Sequence, residues 1–397
     1  MTSTNFTLVE KTEVVVELNL LQTLGSKIFL CPFIGRTKYQ MLGYVITYIL
    51  LLCTAVQLFL TIYFNESDDW LEIINVVPNL GVVIMGLIKF TRVHTDKELY
   101  DRIVHHYYNE VWEIVSDSRE QRDIIARYIK NVRFFNRFLM FYCAALIGVV
   151  NSFPYIVMTF DRKINGVSDE YLYPFDGWYP FDKVEWYWSV YIWESVMTTI
   201  VIWVYVFLNL IHAAFIGFIS MELKIIGNHL ENLITDKHDT KTVLKLKTLI
   251  SRHSFLTKTS ANLDSVLGDA MLLNYSLGAV FICLTAFTVT VVGNFYKAVR
   301  YASMCASVLL DALNQCIYGQ IISDHSEELT DAVFFSDWPN ASAENKKILL
   351  MFMVRTQKAF QITAKGFVPM NMNTFTRICS SSYQMFNLIR TVYAKKY

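Results

Sequence analysis

Trp186 to Ser220 reads WYWSVYIWESVMTTIVIWVYVFLNLIHAAFIGFIS. As a helix rising 1.5 Å per residue it is about 50 Å long, whereas the hydrocarbon core of a bilayer is roughly 30 Å thick. The stretch therefore predicts a membrane-spanning helix that tilts and protrudes on one side. Beyond it, Leu223, Ile226, Leu230 and Leu233 keep a one-sided helical spacing, and Val243 to Phe255 repeats a similar stripe, which predicts a helical layer outside the bilayer. Asp96 to Arg133, with Leu99, Ile103, Val111, Ile114, Ile124, Ile125 and Ile129 interleaved among charges, adds to that layer.

Working outward, the apolar stretches Met41–Phe64, Leu71–Ile88, Phe135–Met158, Ala270–Val292 and Ala298–Ile322 are each near the length a bilayer requires. Met372–Tyr393 is a seventh span of different character. It carries Arg377, Ser380, Ser381, Ser382, Asn387 and Arg390, so it must face protein or water. The reading is an all-α, polytopic, seven-helix membrane protein forming a single domain over 1–397.

Composition agrees. Of the 397 residues, 54% are apolar and 18% charged, and the mean hydropathy is +0.33. Basic and acidic residues balance at 35 each, which leaves no basic stripe for nucleic acid. Cys53, Cys143, Cys283, Cys305 and Cys316 fall in apolar stretches, where cysteine acts as a small hydrophobe. No HExxH, CxxC or Walker-type motif occurs, so neither an enzyme nor a metal or other cofactor is expected. With the amino terminus inside, the inner segments hold 22 Lys and Arg and the outer ones seven, Lys297 and Arg300 being assigned to the connection between spans five and six. That asymmetry predicts a cytoplasmic amino terminus, opposite to G-protein-coupled receptors.

The segment Cys316–Trp338, CIYGQIISDHSEELTDAVFFSDW, is followed at Gln357–Arg390 by QKAFQITAKGFVPMNMNTFTRICSSSYQMFNLIR. This resembles the insect odorant receptor family, through Cys316, Gly319, Gln320, Ser326, Ala332, Phe334 and Trp338, then Thr363, Ala364, Phe367, Met370, Asn371, Thr374, Phe375 and the Ser382–Tyr383 pair. Ala359 stands where the family often has proline, Lys365 where glycine is common, and Phe334 where tyrosine is usual. The resemblance implies a plasma-membrane, odorant-gated, nonselective cation channel, in which an odorant-tuning subunit assembles with a co-receptor subunit into a heterotetramer. It also implies a small volatile ligand held in the outer halves of spans two to six. A gustatory-type channel subunit, or a seven-helix receptor or transporter of another class, is the alternative.

Periodicity supplies candidates for that ligand site. Ile147, Asn151 and Tyr155 share a face of span three; Tyr187, Tyr191, Glu194 and Thr198 share one of span four. Phe281, Thr285 and Thr288 on span five, with Met304 and Cys305 on span six, complete the wall, core packing being the competing role for each. Asp311, Asn314 and Gln315 either bond across helices or edge a watery path. Pro78 and Pro154 remove backbone donors within spans two and three and widen the space between helices. The acidic, aromatic loop 161–185 is expected to fold against the bundle as a lid or to form an interfacial belt. Pro369, Asn371 and Asn373 predict that a helix beginning near Asn345 ends there and that a new one starts. On that last helix Tyr383, Phe386, Asn387 and Arg390 share a face. The resemblance makes it the pore face, with Phe386 at the gate.

Overall fold

The computed structural model describes residues 3–27, 29, 37–64, 70–116, 118–165, 171–175, 177–233, 240–291 and 295–396. Within them every long element is a helix: α1 (Ser3–Lys27), α2 (Lys38–Tyr63), α3 (Trp70–Thr95), α4 (Lys97–His105), α5 (Arg119–Asn165), α6 (Tyr187–Glu231), α7 (Thr240–Val291), α8 (Phe295–Phe335), α9 (Ala343–Thr356) and α10 (Met372–Lys396). The seven predicted spans lie in α2, α3, α5, α6, α7, α8 and α10. Five of these helices, α2, α3, α5, α6 and α7, are long and apolar enough to cross a membrane by length and composition. Polar side chains hold α8 and α10 below that measure, yet both pack into the same bundle.

The solvent for which this bundle is built shows in α2. Its inward residues are Gly43, Thr47, Leu51, Thr54 and Leu58, a four- and three-residue spacing that includes small and polar groups. Outward it exposes Leu42, Val45, Ile46, Ile49, Leu52, Val56 and Phe59. Such inversion is unstable in water and suits lipid, where small residues let helices approach and apolar ones face acyl chains. The central helix is α6, apolar all round and therefore surrounded: from Phe207 to Ile216 every residue is buried.

The helices outrun their apolar stretches. The stripe at Val243–Phe255 and the span at Ala270–Val292 join in one helix, α7, of 52 residues. No proline interrupts Thr257 to Asp269, so the helix has no reason to stop. α5 begins at Arg119 and α8 runs to Phe335, both well past their predicted spans. Their polar ends, with α1, α4, α9 and the end of α6, form the expected layer at one end of the bundle. His106 is sealed into it, with Nε2 2.9 Å from Glu222 and Nδ1 2.9 Å from Glu110. Burial pulls this imidazole down, but the two carboxylates outweigh burial and hold its pKa above the ordinary value.

Two expectations need correction. Lys297 and Arg300 belong to the first two turns of α8 and not to a connecting loop. The helix from Asn345 does not run to Pro369: α9 ends at Thr356, and the chain then folds into a loop closed by an antiparallel bridge between Thr363 and Pro369. Hydrogen bonds to side chains drive that early stop. Ser326 Oγ accepts from Phe360 N at 2.7 Å, and the Asp264 carboxylate accepts from the Thr363 hydroxyl at 2.9 Å, which pins the loop to α8 and α7. The turn needs left-handed backbone at Lys365 (φ 52°) and Gly366 (φ 78°). Glycine takes that conformation without strain, which is the physical content of a glycine preference at position 365. Asn371 then caps α10, its Oδ1 accepting from Thr374 N at 2.9 Å.

Candidate functional site: an apolar cavity under a tethered loop

At the end of the bundle opposite the helical layer, five helices and a loop enclose a cavity of about 150 Å³. The wall is mostly hydrocarbon. α2 gives Thr54 and Leu58; α3 gives Pro78, Asn79, Val82 and Val83; α5 gives residues from Leu146 to Pro154. α6 gives Thr198, Val201 and Ile202, and α8 gives residues from Tyr296 to Val308. Both in-helix prolines line it, as their widening effect leads one to expect. A mostly apolar cavity of this size has room for a benzene-sized molecule.

Pro174 and Phe175 of the loop close the outer side. The loop is seated by Glu194 of α6, whose side chain is fully buried and whose carboxylate accepts from Phe175 N (3.1 Å), Gly177 N (2.9 Å) and the Tyr179 hydroxyl (3.2 Å). Trp178 N donates to Thr61 Oγ1 at 2.9 Å, and the Trp178 ring stacks on Phe64 with centroids 4.5 Å apart. Charge-assisted bonds to a carboxylate contribute about 1.5–3 kcal/mol each in net terms. Glu194→Ala should therefore release the loop and lower sensitivity to any molecule held beneath it by at least about tenfold, while Glu194→Gln, which keeps one acceptor oxygen, should lose less. Dose–response curves for both variants check this, and equal sensitivity in wild type and Glu194→Ala would exclude the tether.

The twelve ligand candidates fall in different places, Thr288 being buried with its hydroxyl on the Leu284 carbonyl and Cys305 packing beside Phe281. Thr198 and Met304 line the cavity. Glu194 stands behind it as the loop anchor. Asn151 and Tyr191 join α5 to α6: Asn151 Nδ2 donates to Thr199 Oγ1 at 2.9 Å, and the Tyr191 hydroxyl donates to the Asn151 carbonyl. Tyr155 and Tyr187 border a separate, more open cavity of about 400 Å³ with Met158 and Arg162. Ile147 packs against the main core. Phe281 packs with Val308 and Ile378, and Thr285 is fully buried with its hydroxyl on the Phe281 carbonyl. Among the described residues α7 contributes nothing to the wall. The α2, α3 and loop residues carried no helical-face signal, because each faces the cavity only through how the helices are arranged.

Directly deeper lies a second cavity of about 90 Å³, which shares Val82, Leu146, Ile202, Ser307 and Val308 with the first. Its floor holds Asp311 and Asn314, and Asp311 bonds across helices. The carboxylate accepts from Tyr205 (2.6 Å) and Asn209 (2.8 Å) of α6, Asn274 of α7 (2.7 Å) and Gln315 (2.7 Å). Lys89 of α3 reaches the same group, donating to Asn209 Oδ1 at 2.8 Å.

On α10, Tyr383 and Arg390 are exposed, and Phe386 and Asn387 are half-buried. Ile378 and Ser382 form the inward face. The pore candidates thus lie on the sides of α10 turned away from its tightest packing.

Comparison with known proteins agrees with this architecture. The family model described as 7tm odorant receptor matches residues 69–383. The chain is 28% identical to putative odorant receptor 92a of Drosophila melanogaster over 48% of its own length and 46% of that protein. With odorant receptor 85f of the same organism it shares 25% identity over 47% and 46%. It thus spans about half the length of these curated relatives. The solved insect olfactory receptor OR5 from Machilis hrabei in complex with eugenol superimposes with a TM-score of 0.81 at 15% identity, covering 96% of this chain and all of that one.

Proposed function

Because the chain belongs to the insect odorant receptor family, whose model covers residues 69–383, we propose that it is the odorant-tuning subunit of a ligand-gated, nonselective cation channel in the plasma membrane. The observation that carries this reading is the mostly apolar cavity under a tethered loop, sized for a small volatile organic molecule. The amino terminus and the helical layer are assigned to the cytoplasm by the excess of Lys and Arg in those segments. Assembly with a co-receptor is supported by Leu350, Met351 and Val354, which α9 exposes in a layer that lipid does not cover.

Ion flow is assigned to α10, with Phe386 as the constriction that blocks ions by excluding water and Arg390 one turn outward, where its charge opposes cation entry. Co-expressing the chain with an insect co-receptor and applying volatiles should give cation currents that need no nucleotide; silence across a broad panel would refute the channel reading. Phe386→Ser should raise the current measured without odorant severalfold, since a hydroxyl wets the constriction. Arg390→Gln should change calcium permeation more than odorant choice. Heteromers in which neither variant alters resting current or ion selectivity would make α10 a packing helix.

A further inference from the structure

The more open cavity of about 400 Å³ lies between the loop end of α5 and the start of α6, and its wall differs in kind from that of the apolar one. Aromatic rings make much of it: Tyr171 lies 5.0 Å from Tyr187 between centroids, Tyr187 5.3 Å from Trp188, and Trp188 5.8 Å from Tyr155. Two opposite charges stand among the rings, Arg162 and Glu185. Both residues are exposed, and among the described residues neither has an ion-pair partner, the other included. The Arg162 guanidinium lies over the Tyr171 ring, 5.3 Å from its centroid. The surroundings fix the depth of the site. Exposed Trp186 and Trp188 mark the membrane–water boundary, where tryptophan is enriched. One and two turns further along α6, Ile192 and Val196 are exposed, and α5 exposes Ile156.

A cavity with one fixed cation, one fixed anion and aromatic faces is complementary to a zwitterion that carries a phosphate and an ammonium group. The guanidinium donates to phosphate oxygens, and the ammonium meets the carboxylate and the ring faces. A doubly charged molecule has no appreciable vapour pressure, so this is not a second place for a volatile. The cavity opens at the depth of lipid headgroups, above apolar side chains on which acyl chains can lie. We propose that it holds the headgroup of a zwitterionic glycerophospholipid from the leaflet on the loop side of the membrane, with the phosphate on Arg162 and the ammonium toward Glu185. An anionic phospholipid satisfies Arg162 but sets Glu185 against like charge, and a diacylglycerol satisfies neither. Tyr155 and Tyr187, which spacing offers as odorant contacts, thereby belong to a lipid site. The assignment does not depend on what occupies the apolar cavity.

The test uses the full-length chain purified in a neutral detergent, stripped of lipid and titrated with phosphatidylcholine, phosphatidylglycerol or diacylglycerol of identical acyl chains, bound lipid being counted by native mass spectrometry. Phosphatidylcholine should bind at about tenfold lower concentration than diacylglycerol and about threefold lower than phosphatidylglycerol. Arg162→Gln should bring phosphatidylcholine to within about threefold of diacylglycerol, and Glu185→Gln should erase the preference over phosphatidylglycerol while keeping that over diacylglycerol. Lys163→Gln, at an exposed neighbouring position outside the cavity wall, should match wild type. Size-exclusion profiles confirm that each variant is folded. Wild type that binds diacylglycerol or phosphatidylglycerol as tightly as phosphatidylcholine overturns the assignment, the first in favour of unselective lipid contact and the second in favour of an anion site. An unchanged ratio in Arg162→Gln, or an equal loss in Lys163→Gln, overturns it too. Free phosphocholine should displace the lipid only at more than about a hundredfold higher concentration, since chain burial is lost. Displacement at the lipid's own concentration makes the cavity a site for a soluble metabolite and overturns the lipid assignment.

Discussion

Replacing Asp311 with leucine should remove most of the receptor from the cell surface. Asp311 and Lys89 are 8% and 3% exposed at mid-bundle, linked through Asn209, and the carboxylate closes four hydrogen bonds from α6, α7 and α8 itself. Interhelical hydrogen bonds in membranes contribute only about 0.6–2 kcal/mol each. The larger effect is the Lys89 ammonium, left without an opposing charge; breaking one partner of a buried pair costs roughly 3–5 kcal/mol. Total stabilities are of the order of 5–15 kcal/mol, so this single change approaches the whole margin. The double variant Lys89→Met, Asp311→Leu should recover much of the surface population, because an apolar replacement of a buried pair is often close to neutral. Surface biotinylation of the two variants decides it. If Asp311→Leu alone reaches the surface at wild-type levels, the charge pair does not hold the bundle.

Gly319→Ala should abolish odorant-evoked current, and it sets two effects of opposite sign against each other. By helix propensity the change stabilises α8 by about 1 kcal/mol. In place, however, the new methyl would lie 1.8 Å from the Met370 carbonyl oxygen and 2.9 Å from its carbon. Those are backbone atoms of the loop that launches α10, and the loop cannot yield cheaply. Met370 N is bonded to the Ile362 carbonyl at 2.9 Å, and Ala364 N to Val368 at 2.8 Å. The clash therefore dominates, and α10 must shift relative to α8. Glu327→Ala, an exposed position farther along the same helix, should behave as wild type. Gly319→Ala heteromers with unchanged dose–response curves would show that the joint between α8 and α10 tolerates displacement.

Gly319 also shows why the family motif is where it is. Ser326, Thr363, Asn371 and Thr374, which carry the resemblance, each make a hydrogen bond that closes the loop between α9 and α10 or starts α10. The recognisable part of the chain is this joint, not the cavity. Cavity walls of hydrocarbon have no such signature, since any branched or aromatic side chain of suitable volume serves.

Of the ligand candidates, Thr198 and Met304 line the cavity. Spacing of three and four says which residues share a face but not which neighbour that face meets. Glu194 stands out in the sequence as a costly group within a span, and its partners are loop amides 17 and 19 residues away. Lys297 and Arg300 are charges at the edge of the apolar run that opens at Ala298 and so look like loop residues, although the helix starts at Phe295 and contains both.

The sequence by itself determined the number of long apolar segments, their near-end charges and the polarity of the last helix, because transfer from water to lipid acts on composition and length. Tertiary structure alone decided that α7 is unbroken, that Asp311 is satisfied from three helices, and that prolines, a loop and Arg300 meet around one cavity. Those depend on which helix faces cross, and packing of that kind is specified jointly by residues far apart in the chain.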